Sequence, residues 1–225
     1  MTTVGVLALQ GDFREHSVSL RRVGADPLEV RRIDQLAQCD ALIIPGGEST
    51  TIARLLLSFE LFHPIQKLGR DGFPIWGTCA GAILLADDVR GELDRPPLDL
   101  LPIVIDRNAY GRQVDSFETD LDASGLSLSG GADSASPFHA VFIRAPRIRS
   151  VASDVGVVMT LPADGDEAPE PVAVRRGALL ATTFHPELTD DARLHAYFVE
   201  RCVAPAHGQA VLASDTAAGR AGGAS

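Results

Sequence analysis

Three features of the sequence predict an α/β protein with a mixed, mostly parallel central sheet. Short apolar runs alternate with amphipathic stretches through the first half of the chain, two of those runs end in glycine-bearing turns, and beyond Ile103 the pattern shifts to short extended segments separated by Gly and Pro. The first pattern is how βαβ units read. The last reads as antiparallel pairing.

Val4 to Leu9 is the first expected strand. After Gln10 and Gly11, Asp12 and Glu15 have capping-box spacing, and a helix runs from there toward Gly24, a natural stop. Leu28 to Val30, Ala41 to Ile44 and Phe73 to Trp76 are the next strands, with helices at Thr50 to Leu57 and Ala80 to Ala86. Extended segments follow at Val114 to Glu118, Phe138 to Ile143, Val155 to Thr160 and Val172 to Val174, and the pattern closes with a strand at Ala178 to Phe184 and a helix at Asp190 to Val203. Asp122 to Ser136, dominated by Ser, Gly, Ala and Asp, and the small, polar stretch from Pro205 to Ser225 read as unstructured. The expected organisation is one domain over residues 1–204 and a flexible tail over 205–225.

With 225 residues and 45% hydrophobic content, the chain can bury one sizeable core. Its 20 basic and 30 acidic residues give a net charge of -10, which argues against a role built on neutralising phosphate backbones, so no nucleic-acid partner is expected. Met1 to Val6 lacks the basic region and long apolar core of a signal peptide, and no stretch is long enough to span a bilayer; the expectation is a soluble, cytoplasmic protein without membrane contact. The three cysteines, Cys39, Cys79 and Cys202, are too few and too far apart for a disulfide framework or a CxxC metal site, and no metal or cofactor is expected.

Both glycine-bearing turns fall at carboxyl ends of expected parallel strands, where open α/β sheets bind ligands. Gly77-Thr78-Cys79-Ala80-Gly81 has the G-x-nucleophile-x-G form between a strand and an apolar helix, a nucleophile elbow with Cys in place of Ser. The sharp turn strains the nucleophile's backbone, the glycines let neighbouring backbone approach, and the helix start favours a thiolate. Taken alone, the same five residues also suit a buried structural cysteine in a tight turn. A thiol needs a base, and His185 ends an apolar strand in Thr183-Phe184-His185-Pro186-Glu187. In extended chain, positions i and i+2 share a face, so Glu187 can orient the imidazole while His185 takes the thiol proton. The other histidines, His16, His63, His139, His195 and His207, read as surface or packing residues. In Pro45-Gly46-Gly47-Glu48-Ser49, two glycines after an apolar strand can aim a backbone N–H at a developing negative charge, so Gly47 and Ala80 are candidate oxyanion donors. The turn lacks the Gly-Lys-Ser/Thr ending of a P-loop.

Together these motifs resemble the triad glutamine amidotransferases. Val4 to Gly11, Ile44 to Thr51, Gly77 to Gly81, Arg107-Asn108-Ala109-Tyr110-Gly111-Arg112-Gln113 and Phe184 to Leu188 resemble more narrowly the glutaminase subunits of pyridoxal 5'-phosphate synthase, over about residues 4 to 203. The resemblance implies a three-layer flavodoxin-like class I glutamine amidotransferase fold, a Cys79 nucleophile, a His185 base and a Glu187 orienter. It implies glutamine contacts from Gly46, Gly47, Glu48, Arg107, Ile143 and Arg144; the two guanidinium groups suit the carboxylate end of L-glutamine. It places Gln10 and the turn near Gly46 toward a synthase subunit, in a large hetero-oligomer with a dodecameric synthase core, whose docking organises the oxyanion hole. Ammonia would pass inside that complex to a synthase acting on a pentose phosphate and a triose phosphate. One departure is visible: Asp122 to Ser136 is longer and richer in Ser and Gly than the family's connection.

Three other readings fit the residues less well. An amidotransferase serving another synthase, such as that of the imidazole glycerol phosphate pathway, is opposed by the Arg107 to Gln113 motif and by Gly46 to Ser49. A non-catalytic glutamine sensor is opposed by the complete Cys-His-Glu set. A cysteine peptidase is opposed by arginines that suit a small charged amino acid.

Overall fold

The computed structural model describes residues 1–107, 116–126, 128, 136–162 and 168–206. Alternation of apolar residues with helical stretches builds β1 (Thr3–Leu7), α1 (Phe13–Arg22), β2 (Asp26–Val30), α2 (Ile33–Leu36), β3 (Ala41–Ile44), α3 (Ser49–Ser58), α4 (Phe62–Arg70), β4 (Ile75–Thr78) and α5 (Ala80–Leu85). Strands β5 (Ala86–Arg90), β6 (Leu101–Asp106), β7 (Phe117–Leu121), β8 (Phe138–Phe142), β9 (Arg147–Val151), β10 (Gly156–Leu161), β11 (Glu170–Arg176) and β12 (Leu179–Thr182) follow. A 3-10 turn at Pro186–Leu188, α6 (Arg193–Phe198) and a π-helical turn at Val199–Val203 complete the described elements.

The main sheet has seven strands in the order β10-β11-β12-β4-β3-β1-β2. From β12 to β2 the strands are parallel, while β11 and β10 add antiparallel at one edge. With β12 in the fifth place, the parallel part has the 2-1-3-4-5 order of flavodoxin-like sheets. Smaller sheets of β5-β6-β9 and β7-β8 lie outside it.

Period-two alternation divides the core between the two faces. Leu42, Ile44, Ile75 and Ala181 pack with Ile52, Leu56, Ile65 and Leu84 from α3, α4 and α5. Ala41, Ile43, Trp76 and Leu180 pack with Leu20 of α1 and Leu194 and Phe198 of α6. Helices therefore cover both faces, the arrangement that leaves parallel strands apolar on each side.

Most strands fall within a few residues of their expected places, and β3 falls on the expected residues. Several expectations need correction. Asp12 is the N-cap residue of α1 but makes no side-chain capping bond, because its carboxylate turns toward His185 instead, at 3.6 Å from Nδ1. The closing helix begins later than expected, after Asp191 accepts the Arg193 N–H at 3.0 Å, and it changes to π geometry at Val199. Helix α4 has no counterpart among the expected elements; its Pro64 occupies the first turn, where its missing N–H costs nothing. Within the stretch expected to be unstructured, Ala123 and Leu126 are fully packed into the core around Phe138 and Phe142. Pro205 and Ala206, assigned to the tail, are helical. Asn108 to Gln113, most of the Arg107 motif, lies outside the described residues, as do residues 129–135 and 207–225.

Candidate active site

Cys79 sits between β4 and α5 with φ 47° and ψ −102°, a strained conformation for a residue with a side chain. The flanking glycines are steric requirements. A Cβ on Gly77 would come within 2.4 Å of the Gly81 backbone, and one on Gly81 within 2.0 Å of the Ile44 carbonyl oxygen, so the elbow closes only without them. The sulfur stands at the start of α5, 4.0 Å from the Ile143 carbonyl oxygen.

His185 follows β12, the strand beside β4, and Thr182 of one is paired with Thr78 of the other. Its main chain is fixed by donation of its N–H to the Val141 carbonyl at 2.9 Å. Its Nδ1 lies 2.8 Å from Glu187 Oε1, and both side chains are buried. Burial opposes charge on the imidazole, but hydrogen bonds to Cys79 and Glu187, with the charge of both, carry its pKa up to about 10. Burial also pushes the Glu187 carboxyl above its ordinary value, against the hydrogen bond and charge of His185. Of the other two cysteines, burial, with Asp40 nearby, raises Cys39 to about 11, and burial raises Cys202 to about 12 despite Arg175. Neither offers a thiolate near neutrality.

The pocket in front of the sulfur has a volume of about 350 Å³, at the small end for ligand sites, and Cys79, Ala80, His185, Gly47, Glu48, Arg107, Ile143, Arg144 and Gln10 all line it. Ala80 is the first residue of α5, so its N–H has no acceptor within the helix. Gly47 has φ 145°, and a Cβ there would lie 2.5 Å from Gln10 Oε1, the same oxygen that accepts the Glu48 N–H at 2.9 Å. Gln10 is thus packed over the Gly47 turn from the end of β1. Gly46 lies beneath the base: a Cβ on it would come within 2.3 Å of His185 Cε1.

Glu48 is already engaged. Its carboxylate accepts the N–H groups of Thr50 at 3.1 Å and Thr51 at 2.7 Å, capping α3, and it pairs with Arg107. Although burial works the other way, these hydrogen bonds hold its carboxyl down to about 2. Arg144 has φ 43°, a second strained non-glycine residue on the pocket wall.

Three residues escaped the sequence reading of the site. Asp12 lines the pocket and faces His185. His16 and His195, both fully buried, stand behind Glu187: His16 Nε2 is 3.4 Å from Glu187 Oε2 and 3.3 Å from Thr78 Oγ1, and its Nδ1 is 2.9 Å from His195 Nε2. The available signal was the Asp12 to His16 spacing of one helical turn immediately after a strand end. His63 and His139 are at the surface as expected, and His207 is outside the described residues.

A doubly wound sheet with a thiol on a strand-to-helix elbow and a His–Glu pair just beyond the end of the adjacent strand defines an α/β protein that brings a thiol, an imidazole and a carboxylate to one pocket. Comparison with known proteins narrows the class. The SNO glutamine amidotransferase family profile matches residues 6–204, and the chain belongs to that family. It is similar to the pyridoxal 5'-phosphate synthase subunit PdxT of Frankia alni, 52% identical over 198 residues that cover 88% of this chain and 93% of the relative. The PdxT of Pelotomaculum thermopropionicum is 51% identical over 200 residues, covering 89% of this chain and 95% of its own. A solved glutamine amidotransferase structure superposes with a TM-score of 0.77 at 48% identity over 88% of this chain and 98% of that one. A putative GMP synthase subunit from Thermoplasma acidophilum, 19% identical with a TM-score of 0.62 over 93% of this chain and 98% of its own, shares the fold. Among the described residues, no helix is long and apolar enough to cross a membrane.

Proposed function

We propose that the chain, through residues 1–204, is a cytoplasmic glutaminase that hydrolyses L-glutamine to L-glutamate and ammonia and hands the ammonia to a synthase subunit making pyridoxal 5'-phosphate. The observation that carries this reading is the meeting, in one small pocket, of the elbow thiol of Cys79 with a His185 held at 2.8 Å by Glu187. Family membership and the PdxT relatives supply the substrate and the product pathway.

In this reading the Cys79 thiolate attacks the side-chain amide carbon of glutamine. The N–H groups of Gly47 and Ala80 hold the oxyanion, and His185 protonates the nitrogen as the C–N bond breaks. Water then attacks the thioester, His185 takes its proton, and sulfur leaves with glutamate free. Arg107 and Arg144 hold the amino-acid end, with Gly46, Glu48 and Ile143 shaping the wall. Gln10 faces the partner. Its grip on the Gly47–Glu48 turn gives docking a route to the oxyanion donors, and the assembly is a hetero-oligomer on a dodecameric synthase core.

The test is glutamate release from glutamine by the purified chain, alone and with its synthase subunit, with complex size measured in parallel. Strong stimulation by the synthase is expected. No turnover in either condition would overturn the reading in favour of a glutamine sensor.

A further inference from the structure

The two buried histidines behind Glu187 come from helices far apart in sequence, α1 and α6, and neither touches the pocket in front of Cys79. Trp76 fixes both rings edge-on, with centroids 5.7 Å from His16 and 4.9 Å from His195. Burial, together with the charges of His195 and His185, holds His16 well below the ordinary value, and burial holds His195 down to about 3 with only Asp191 opposing. Both rings are therefore neutral, and two N–H protons are distributed over four ring nitrogens.

Their positions follow from what each nitrogen faces. His195 Nδ1 is buried with no hydrogen-bond partner. A bare lone pair there costs less than an orphaned N–H, so the His195 proton is on Nε2, where it donates to His16 Nδ1 across 2.9 Å. The His16 proton is then on Nε2, facing Glu187 Oε2 and Thr78 Oγ1. The opposite pair of tautomers would strand an N–H at His195 Nδ1 and set a lone pair against a carboxylate oxygen. Glu187 Oε2 is buried and makes no hydrogen bond among the described residues, and His16 Nε2, hydrogen-bonded to Thr78 Oγ1, stands 3.4 Å from it.

Building on the glutaminase reading above, we infer that His16 is a positioning residue: fixed as the Nε2–H tautomer by His195, it presents the positive end of that N–H to Oε2 of Glu187 at 3.4 Å and keeps that carboxylate ionised and turned toward His185. Glu187 then faces His185 on one oxygen and His16 on the other, with Asp12 the remaining charge that bears on it. Loss of the His16 donor makes Glu187 easier to protonate. A protonated Glu187 no longer supports the His185 imidazolium, so the acid limb of activity moves to higher pH.

The test compares H16Q with H16N in the complex with the synthase. Glutamine's amide nitrogen reaches the position of Nε2, whereas asparagine's reaches only that of Nδ1, and both impose a similar polar burial. H16N is expected to lower kcat about tenfold or more, as loss of an outer hydrogen-bond partner does at other sites, with KM for glutamine little changed and the acid limb raised. H16Q is expected to recover most of kcat and the wild-type limb. Equal kcat and equal limbs in the two variants would overturn the inference and leave His16 a packing residue. The 15N spectrum of the full-length wild-type chain, labelled at histidine, tests it without mutation: His16 and His195 should both be neutral Nε2–H tautomers, and a proton on Nδ1 of His16 would overturn it. C79A in the same complex separates the two readings. Turnover retained there removes the glutaminase triad itself, whereas a dead C79A beside indifferent His16 variants removes only the present inference.

Discussion

A left-handed backbone at Cys79 is tolerated because β4, α5 and β3 enclose it at backbone distance. The strain belongs to the turn and not to the sulfur, so Cys79→Ala should abolish glutamate release while leaving the fold and synthase binding intact, as pull-down with the synthase and thermal melting would establish. Gly46 makes a complementary case. A methyl group 2.3 Å from His185 Cε1 must push the imidazole out of line, so Gly46→Ala should lower kcat by about 100-fold or more, with little change in Tm. A Gly46→Ala enzyme with normal kcat would show that His185 has room to move. At this scale the meeting of Cys79, His185 and Glu187 in one place was legible in the sequence, because elbow and His-Pro-Glu are local patterns with a local geometry. Asp12, His16 and His195 were not legible. They come from two helices on the same sheet face, and only the packing of α1 against α6 over Trp76 brings them to Glu187.

Helix α3 owes its start to Glu48, an unusual cap in that one carboxylate satisfies two N–H groups and holds Arg107 as well. Glu48→Ala should therefore cost about 1 kcal/mol in urea unfolding, in the range of other N-cap losses. It should also free the Arg107 guanidinium and change KM for glutamine, and a variant of unchanged stability would mean that α3 starts without its cap. Elements of the main sheet were readable because buried parallel strands are short apolar runs bounded by glycine or proline. Those of the outer sheets were harder. In β5, Asp87 and Asp88 are exposed, and β9 alternates too briefly to stand out from loop. Leu126, in the short run Gly125-Leu126-Ser127-Leu128 amid Ser, Gly and Ala, gave too brief a pattern to show that it would be buried.

For the molecule as a whole, buried histidines set the pH response of stability. His16 and His195 stay neutral when folded, whereas the unfolded chain takes up protons at both below about pH 6.5. Their contribution is whole above that pH and is lost as pH falls, at up to about 2.7 kcal/mol per unit, and about half that once Glu187, raised by burial, takes a proton in the folded state. His185 has the opposite sign: held up to about 10, it contributes fully below about pH 6.5 and progressively less as pH climbs to that value. Stability should thus peak near pH 6.5, with the steeper fall on the acid side. Urea midpoints across pH 5 to 9.5 would check this, and a flat profile would contradict it.

One feature of the sheet bears on how such a catalyst can change. Thr78 and Thr182 are register partners on adjacent parallel strands, and Cys79 and His185 are each within a few residues of that pair. The strand ends from which Cys79 and His185 emerge are therefore held side by side by that ladder. Gly46 to Glu48 and Ile143 to Arg144 are outside that ladder, on the rim. Control from outside can act on the rim, which also carries the candidate oxyanion donor Gly47 and the glutamine contacts proposed above, so a transplant of those rim segments between relatives should carry both regulation and glutamine affinity with it.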